Sequence, residues 1–184
     1  MEEFSGILEK IIEKAKQDKK RIVLPEALDL RVLKAANLVV ENSIADIVLI
    51  GDYEKILQVC NENSITLNEK IEVINPKTSD YYEEFVNKFY ELRKHKGITF
   101  EKAKETLLDE VYFATMMVKE NKADGLVCGA IHSTSDTLRP ALQIIKARPG
   151  LNTVSAFFLM ESPKKEFGSD GVFIFADCGL VEFP

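Results

Sequence analysis

Ile47-Val48-Leu49-Ile50 is an unbroken apolar run that closes on Gly51. A strand with one wet face alternates apolar and polar side chains. An unbroken run instead fits a strand covered on both faces, the setting of a parallel sheet between helices. The neighbouring segments carry the other period. Leu30, Leu33, Ala36 and Val40 recur at helical spacing over 29–41, with Asn37 as a polar edge on the same stripe. Residues 52–62 follow as a helix that Asp52 caps. Strands alternating with helices imply βαβ units and an α/β domain with helices on both faces of a parallel sheet.

The rest of the chain extends that alternation. Phe4, Ile7, Leu8, Ile11, Ile12 and Ala15 form one stripe of a helix over 4–16, and a strand at 21–24 stops at Pro25. A strand at 71–74 ends at Asn75-Pro76. A helix capped by Ser79 or Asp80 then runs through 92, with Gly97 as its left-handed terminator. Helices at 100–107 and 108–121 lead to a strand at 124–129, a polar loop at 131–137 and a helix at 138–147. Pro140 suits a first helical turn, which sets that helix's start nearer Thr137 than Ser133. Beyond Arg148-Pro149-Gly150 the texture changes. Two β-rich runs, 153–160 and 172–176, flank the turn segment 162–171 with no helix between them. The expected organisation is a first α/β domain over 1–149 and the start of a second α/β domain over 150–184.

Composition removes several functions. The 184 residues carry a net charge of -6, with no basic cluster on the scale a nucleic-acid backbone demands. No run approaches the length of a membrane span, and the acidic, amphipathic start is unlike a signal peptide. Cys60, Cys128 and Cys178 are scattered, which fits reduced thiols in the cytoplasm. With only His95 and His132 as imidazoles, no metal site is expected.

The segment that promises chemistry is Asp124-Gly-Leu-Val-Cys-Gly-Ala-Ile-His-Ser-Thr-Ser-Asp-Thr-Leu-Arg139, a buried strand feeding a hydroxyl-rich loop and a helix start. Ligands of open α/β sheets bind beyond the carboxyl ends of strands, and helix N-termini attract anions. Ser133, Thr134, Ser135 and Thr137 offer hydroxyl donors, and Arg139 a planar cationic fork. Asp136 would repel an anion and is assigned to capping or to orienting Arg139. A phosphate or oxyanion site and a plain N-cap with a surface arginine both satisfy this pattern. Arg93 reads equally as a cation at a helix C-terminus. Cys128 reads as a small buried thiol, and His132 as a loop histidine or a base.

The run 123–145, ADGLVCGAIHSTSDTLRPALQII, resembles the signature of phosphate acetyltransferases and their butyryl-transferring relatives. Arg21-Ile-Val-Leu-Pro-Glu26 with Asp29 and Arg31, Leu92-Arg-Lys-His-Lys-Gly-Ile-Thr99, and Gly171-Val-Phe-Ile-Phe-Ala-Asp-Cys-Gly-Leu180 resemble further family segments in the same order. The resemblance implies reversible acetyl transfer between acetyl-CoA and inorganic phosphate, by a cytoplasmic homodimer with no permanently bound cofactor and no metal. It also implies that Arg139 is the catalytic cation on the phosphate and that Arg93 binds substrate or coenzyme A; the four hydroxyls, read from the loop itself, are the expected substrate-binding donors. Such enzymes are longer. Their remaining half supplies a catalytic aspartate and a serine–arginine pair that match nothing here, so this chain alone is expected to be inactive. Phosphate butyryltransferase and a non-catalytic anion- or partner-binding remnant are the alternatives. A decarboxylating dehydrogenase of similar fold is disfavoured, because no GxGxxG follows a strand.

Overall fold

The computed structural model describes residues 6–150 and 154–176. The chain divides into two compact units: Ala15–Lys146 and, separately, the stretches that precede and follow it.

The larger unit is built on a four-stranded parallel sheet in the order β3-β2-β1-β4, from β1 (Arg21–Leu24), β2 (Asp46–Ile50), β3 (Glu72–Ile74) and β4 (Gly125–Leu126). Alternate side chains of β2 enter two different cores. Ile47 and Leu49 pack with α2 (Leu30–Glu41) and α3 (Tyr53–Glu62) through Leu33, Ala36, Val40, Ile56 and Cys60. Val48 and Ile50 join the opposite core with α4 (Tyr82–Arg93), α5 (Phe100–Thr106), α6 (Glu110–Lys119) and α7 (Thr134–Ile144). That core is the heavier one, since Phe85, Phe89, Phe113, Met116, Met117 and Ile144 are all sealed from solvent. Helices therefore cover both faces of a buried parallel sheet, the three-layer α/β arrangement that the apolar run implies.

Local signals explain most helix starts. Asp29, Asp52 and Thr99 each accept a hydrogen bond from a backbone N–H of the first turn they precede. Asp109 does the same for α6, which moves that helix's start past the expected Leu108. Neither Ser79 nor Asp80 caps α4. The Ser79 hydroxyl accepts from Tyr81 N, and the helix begins one residue later. Gly97, at φ +82°, ends the basic 3₁₀ turn Lys94–Lys96 that follows α4. Asn37 is buried but satisfied: its amide donates to Thr66 O and its carbonyl accepts from Asn68 N.

Two expectations near the chemistry-bearing loop need correction. β4 is two residues long rather than the six of 124–129, because its pairing with β1 ends once Val127 N reaches Val23 O. α7 starts at Thr134 and carries Pro140 in its interior, so the proline does not mark the helix's first turn. Among the described residues outside this unit, β5 (Phe157–Glu161) and β6 (Val172–Ala176) form an antiparallel hairpin. Thr153, Asp177 and Cys178 lie outside the described residues. In the same unit, the carboxylate of Glu161 accepts from Ile7 N, at the start of α1 (Ile7–Gln17).

Candidate active site

The order β3-β2-β1-β4 reverses direction between β1 and β4. Loops leaving two such neighbouring strands diverge and open the crevice in which doubly wound sheets bind ligands. The β1 loop contributes Glu26 and the β4 loop contributes Gly129–His132.

At this junction lies a feature the sequence reading missed. Glu26 sits directly after Pro25, and its side chain is only 2% exposed. Its Oε2 accepts from Gly129 N at 2.9 Å and Ala130 N at 2.8 Å. Its Oε1 accepts from Ile131 N at 2.8 Å, from His132 N at 2.9 Å and from His132 Nδ1 at 2.9 Å. Gly129 opens the loop at φ +109°, a conformation an L side chain resists. Burial alone would raise the Glu26 carboxyl pKa. The N–H groups of Ile131, His132 and Ala130 and the His132 ring outweigh it and hold the group at about 2. Arg31 grips the same loop by its other backbone group, donating to Ala130 O at 2.7 Å while pairing twice with Asp29.

The backbone of this loop therefore serves an internal carboxylate, and it does not offer an open cradle for a phosphate. An anion recognised nearby is left with side chains and the first turn of α7. Ser133 and Asp136 form a reciprocal cap, with Ser133 Oγ donating to Asp136 Oδ2 at 2.6 Å and accepting from Asp136 N. The cap of α7 is therefore Ser133, and Asp136, expected to cap or to orient Arg139, instead holds the Ser133 hydroxyl, with the Arg139 charge also acting on it. Thr137 Oγ1 donates back to Thr134 O, while Thr134 and Ser135 are exposed on the first turn of α7.

Arg139 is exposed on α7 and Arg93 is half-buried at the end of α4. Both act on Tyr112 of α6. Burial pushes its hydroxyl pKa up, the Arg139 charge pulls it down, Asp109 raises it and Arg93 lowers it. The charges of two arginines 46 positions apart in sequence are thus felt at one phenol. Tyr112 is fixed by donating to Gln143 Oε1 at 3.0 Å and by an edge-on contact with Phe89. Tyr112 and Gln143 were not foreseen, since an aromatic on a mostly buried helix reads as core. Cys128 is half-buried in the loop, not on a strand; burial first and the Glu26 charge second push its thiol pKa up, away from nucleophilic character. Among the described residues no cluster of His, Cys, Asp and Glu suits a metal ion, and no helix is long and apolar enough to cross a membrane.

An open parallel α/β sheet with helices on both faces and loops diverging at a switch point defines the class as a doubly wound α/β fold. Comparison with known proteins narrows it. Residues 6–184 match the family described as Phosphate acetyl/butaryl transferase, and the chain belongs to that family. It is 53% identical over 179 residues to the phosphate acetyltransferase of Thermoanaerobacterium thermosaccharolyticum, covering 97% of this chain and 54% of that one. The corresponding figures for the Acetivibrio thermocellus phosphate acetyltransferase are 49%, 97% and 53%. Among solved structures, a phosphotransacetylase from Streptococcus pyogenes superposes with a TM-score of 0.84 at 34% identity, over 95% of this chain and 52% of that one. The EutD phosphotransacetylase from Staphylococcus aureus gives 0.81 at 37%, over 96% and 52%. The chain thus spans about half the length of the curated relatives it matches.

Proposed function

We propose that this chain is the N-terminal part of a phosphate acetyltransferase, which moves an acetyl group reversibly between acetyl-CoA and inorganic phosphate. The observation that carries the reading is the match to relatives that bear that name, in a chain where the charges of Arg139 and Arg93 both reach Tyr112 of α6. With acetyl phosphate as donor, the coenzyme A thiolate attacks the acyl carbon. A C–S bond forms, the acyl C–O bond breaks, and phosphate departs with the electron pair. Arg139 neutralises the charge that gathers on the leaving phosphate, an electrostatic service that needs no metal. Ser133, Thr134, Ser135 and Thr137 line the approach, and Arg93 supplies a second cation for phosphate or coenzyme A. With the backbone N–H groups engaged by Glu26, these side chains carry the anion recognition. The working enzyme is a cytoplasmic homodimer with no resident cofactor, residues 1–149 forming its first domain and 150–184 opening the second.

The test joins this chain to the C-terminal part of the T. thermosaccharolyticum relative and follows acetyl phosphate-dependent acetylation of coenzyme A. Activity that falls roughly 100-fold or more in kcat/KM with Arg139→Ala supports the reading. Activity indifferent to that change refutes the role of Arg139. The 184-residue chain alone is expected to show little or no turnover. Butyryl phosphate turned over faster than acetyl phosphate by the joined protein would favour the butyryl-transferring relative.

A further inference from the structure

The reading above uses side chains of α7 and leaves Glu26 without a role. A buried, ionised carboxylate is costly unless its oxygens are saturated by donors. Here one carboxylate takes four consecutive backbone N–H groups and an imidazole. Those donors lie between the end of β4 and the Ser133 cap of α7, so whatever fixes them fixes where α7 begins. Arg139 stands on that helix's second turn, where a shift of its start is carried directly to the guanidinium.

The ring contact adds a second consequence. An ionised carboxylate only accepts, so the His132 Nδ1 facing Glu26 Oε1 must carry the hydrogen. In the neutral ring the lone pair then resides on Nε2. The side chain of His132 is 26% exposed, so it is not walled off from a ligand. The groups bearing on Glu26 are His132, Arg31 and Cys128, with Asp29 behind Arg31.

We propose that Glu26 is a positioning residue for the phosphate site: it locks the Gly129–His132 backbone, holds His132 as its Nδ1–H tautomer, and so sets the start of α7 and the place of Arg139. This rests on the proposed phosphate-handling function, but its first two elements can be measured without it.

The experiment uses the ¹⁵N-labelled 184-residue chain, as wild type and with Glu26→Gln and Glu26→Asp. It reads amide exchange at Gly129–His132, the ring-nitrogen shifts of His132, and the affinity for inorganic phosphate. Glutamine keeps one acceptor oxygen and turns an NH₂ toward amides that need an acceptor. The expected results are exchange roughly 10- to 100-fold faster at two or more of those amides, loss of the single-tautomer signature, and phosphate affinity weakened roughly tenfold. Glu26→Asp keeps the charge but shortens its reach, and should give the same changes in weaker form if the glutamine variant does not fold.

Wild-type amides that exchange as freely as an open loop, or an Nε2–H tautomer, overturn the proposal. So does a folded variant with an undisturbed loop and tautomer, or one that loses phosphate while the loop stays ordered. If the joined protein turns over acetyl phosphate no faster than its Arg139→Ala form, the proposed function fails; the amide and tautomer readings still decide the locking.

Discussion

Acidification probes the Glu26 cluster most directly. The carboxyl titrates at about 2 in the folded chain against an ordinary 4.5. A folded value below the unfolded one gives stability that is complete above the unfolded value and lost as pH falls through the folded one. The contribution is therefore whole above about pH 5 and disappears between about 4.5 and 2. At roughly 1.4 kcal/mol per pH unit, that gap is worth about 3 kcal/mol, a large share of a domain's ordinary stability. Urea unfolding followed by circular dichroism, repeated from about pH 7 to pH 2, measures it. The wild-type chain should lose about 3 kcal/mol on this account across the window, beyond what its exposed carboxylates contribute. Glu26→Gln should already be weaker at pH 7 by a similar amount and should show a flatter pH profile. Asp29, held at about 2 chiefly by its hydrogen bonds with Arg31, titrates in the same window, so Asp29→Asn is the necessary control. A Glu26→Gln chain that keeps the full wild-type slope, or a Glu26 carboxyl seen by NMR to titrate near 4.5, would refute the account.

Ser133→Ala removes the α7 cap and should cost about 1 kcal/mol in thermal or chemical unfolding, with Asp136 losing its hydroxyl partner. Phe113→Ala opens the heavier core where the ring is fully enclosed and meets Phe85 at a tilt, centroids 5.2 Å apart, and should cost about 3–5 kcal/mol by the same measurement. The β5–β6 hairpin exposes Phe157 and Ile174 by 67% and 68%, so Phe157→Ser with Ile174→Ser should cut binding of an apolar dye and self-association of the chain in light scattering.

The architecture was written in patterns that neighbours along the chain can enforce. The stripe of Leu33, Ala36 and Val40 marks α2, and the caps Asp29, Asp52 and Thr99 act on amides within three residues. The run Ile47–Ile50 announces burial on both faces, and the structure sends its alternate residues into two cores. Where a distant partner decides, the sequence was silent. β4 is short because its pairing uses only Ile22 and Val23 of β1 before the chain turns toward Glu26. Glu26 itself carries no local signature, since backbone amides look alike in any sequence. The one hint was an acidic residue placed directly after a buried strand. Tyr112 was hidden for the converse reason: a half-buried aromatic on an apolar helix is indistinguishable from core until the fold brings the charges of Arg93 and Arg139 to bear on it.

The separation of 103 positions between Glu26 and Gly129 also sets a timetable for synthesis. While the ribosome is still making the middle of the chain, β1, β2 and β3 can meet, yet the acid after β1 has no donors and must remain hydrated. Only when the stretch past His132 emerges can that carboxylate leave water. The β1–β4 corner is thus the last part of this sheet to close, and a nascent chain stalled before that point would keep it open.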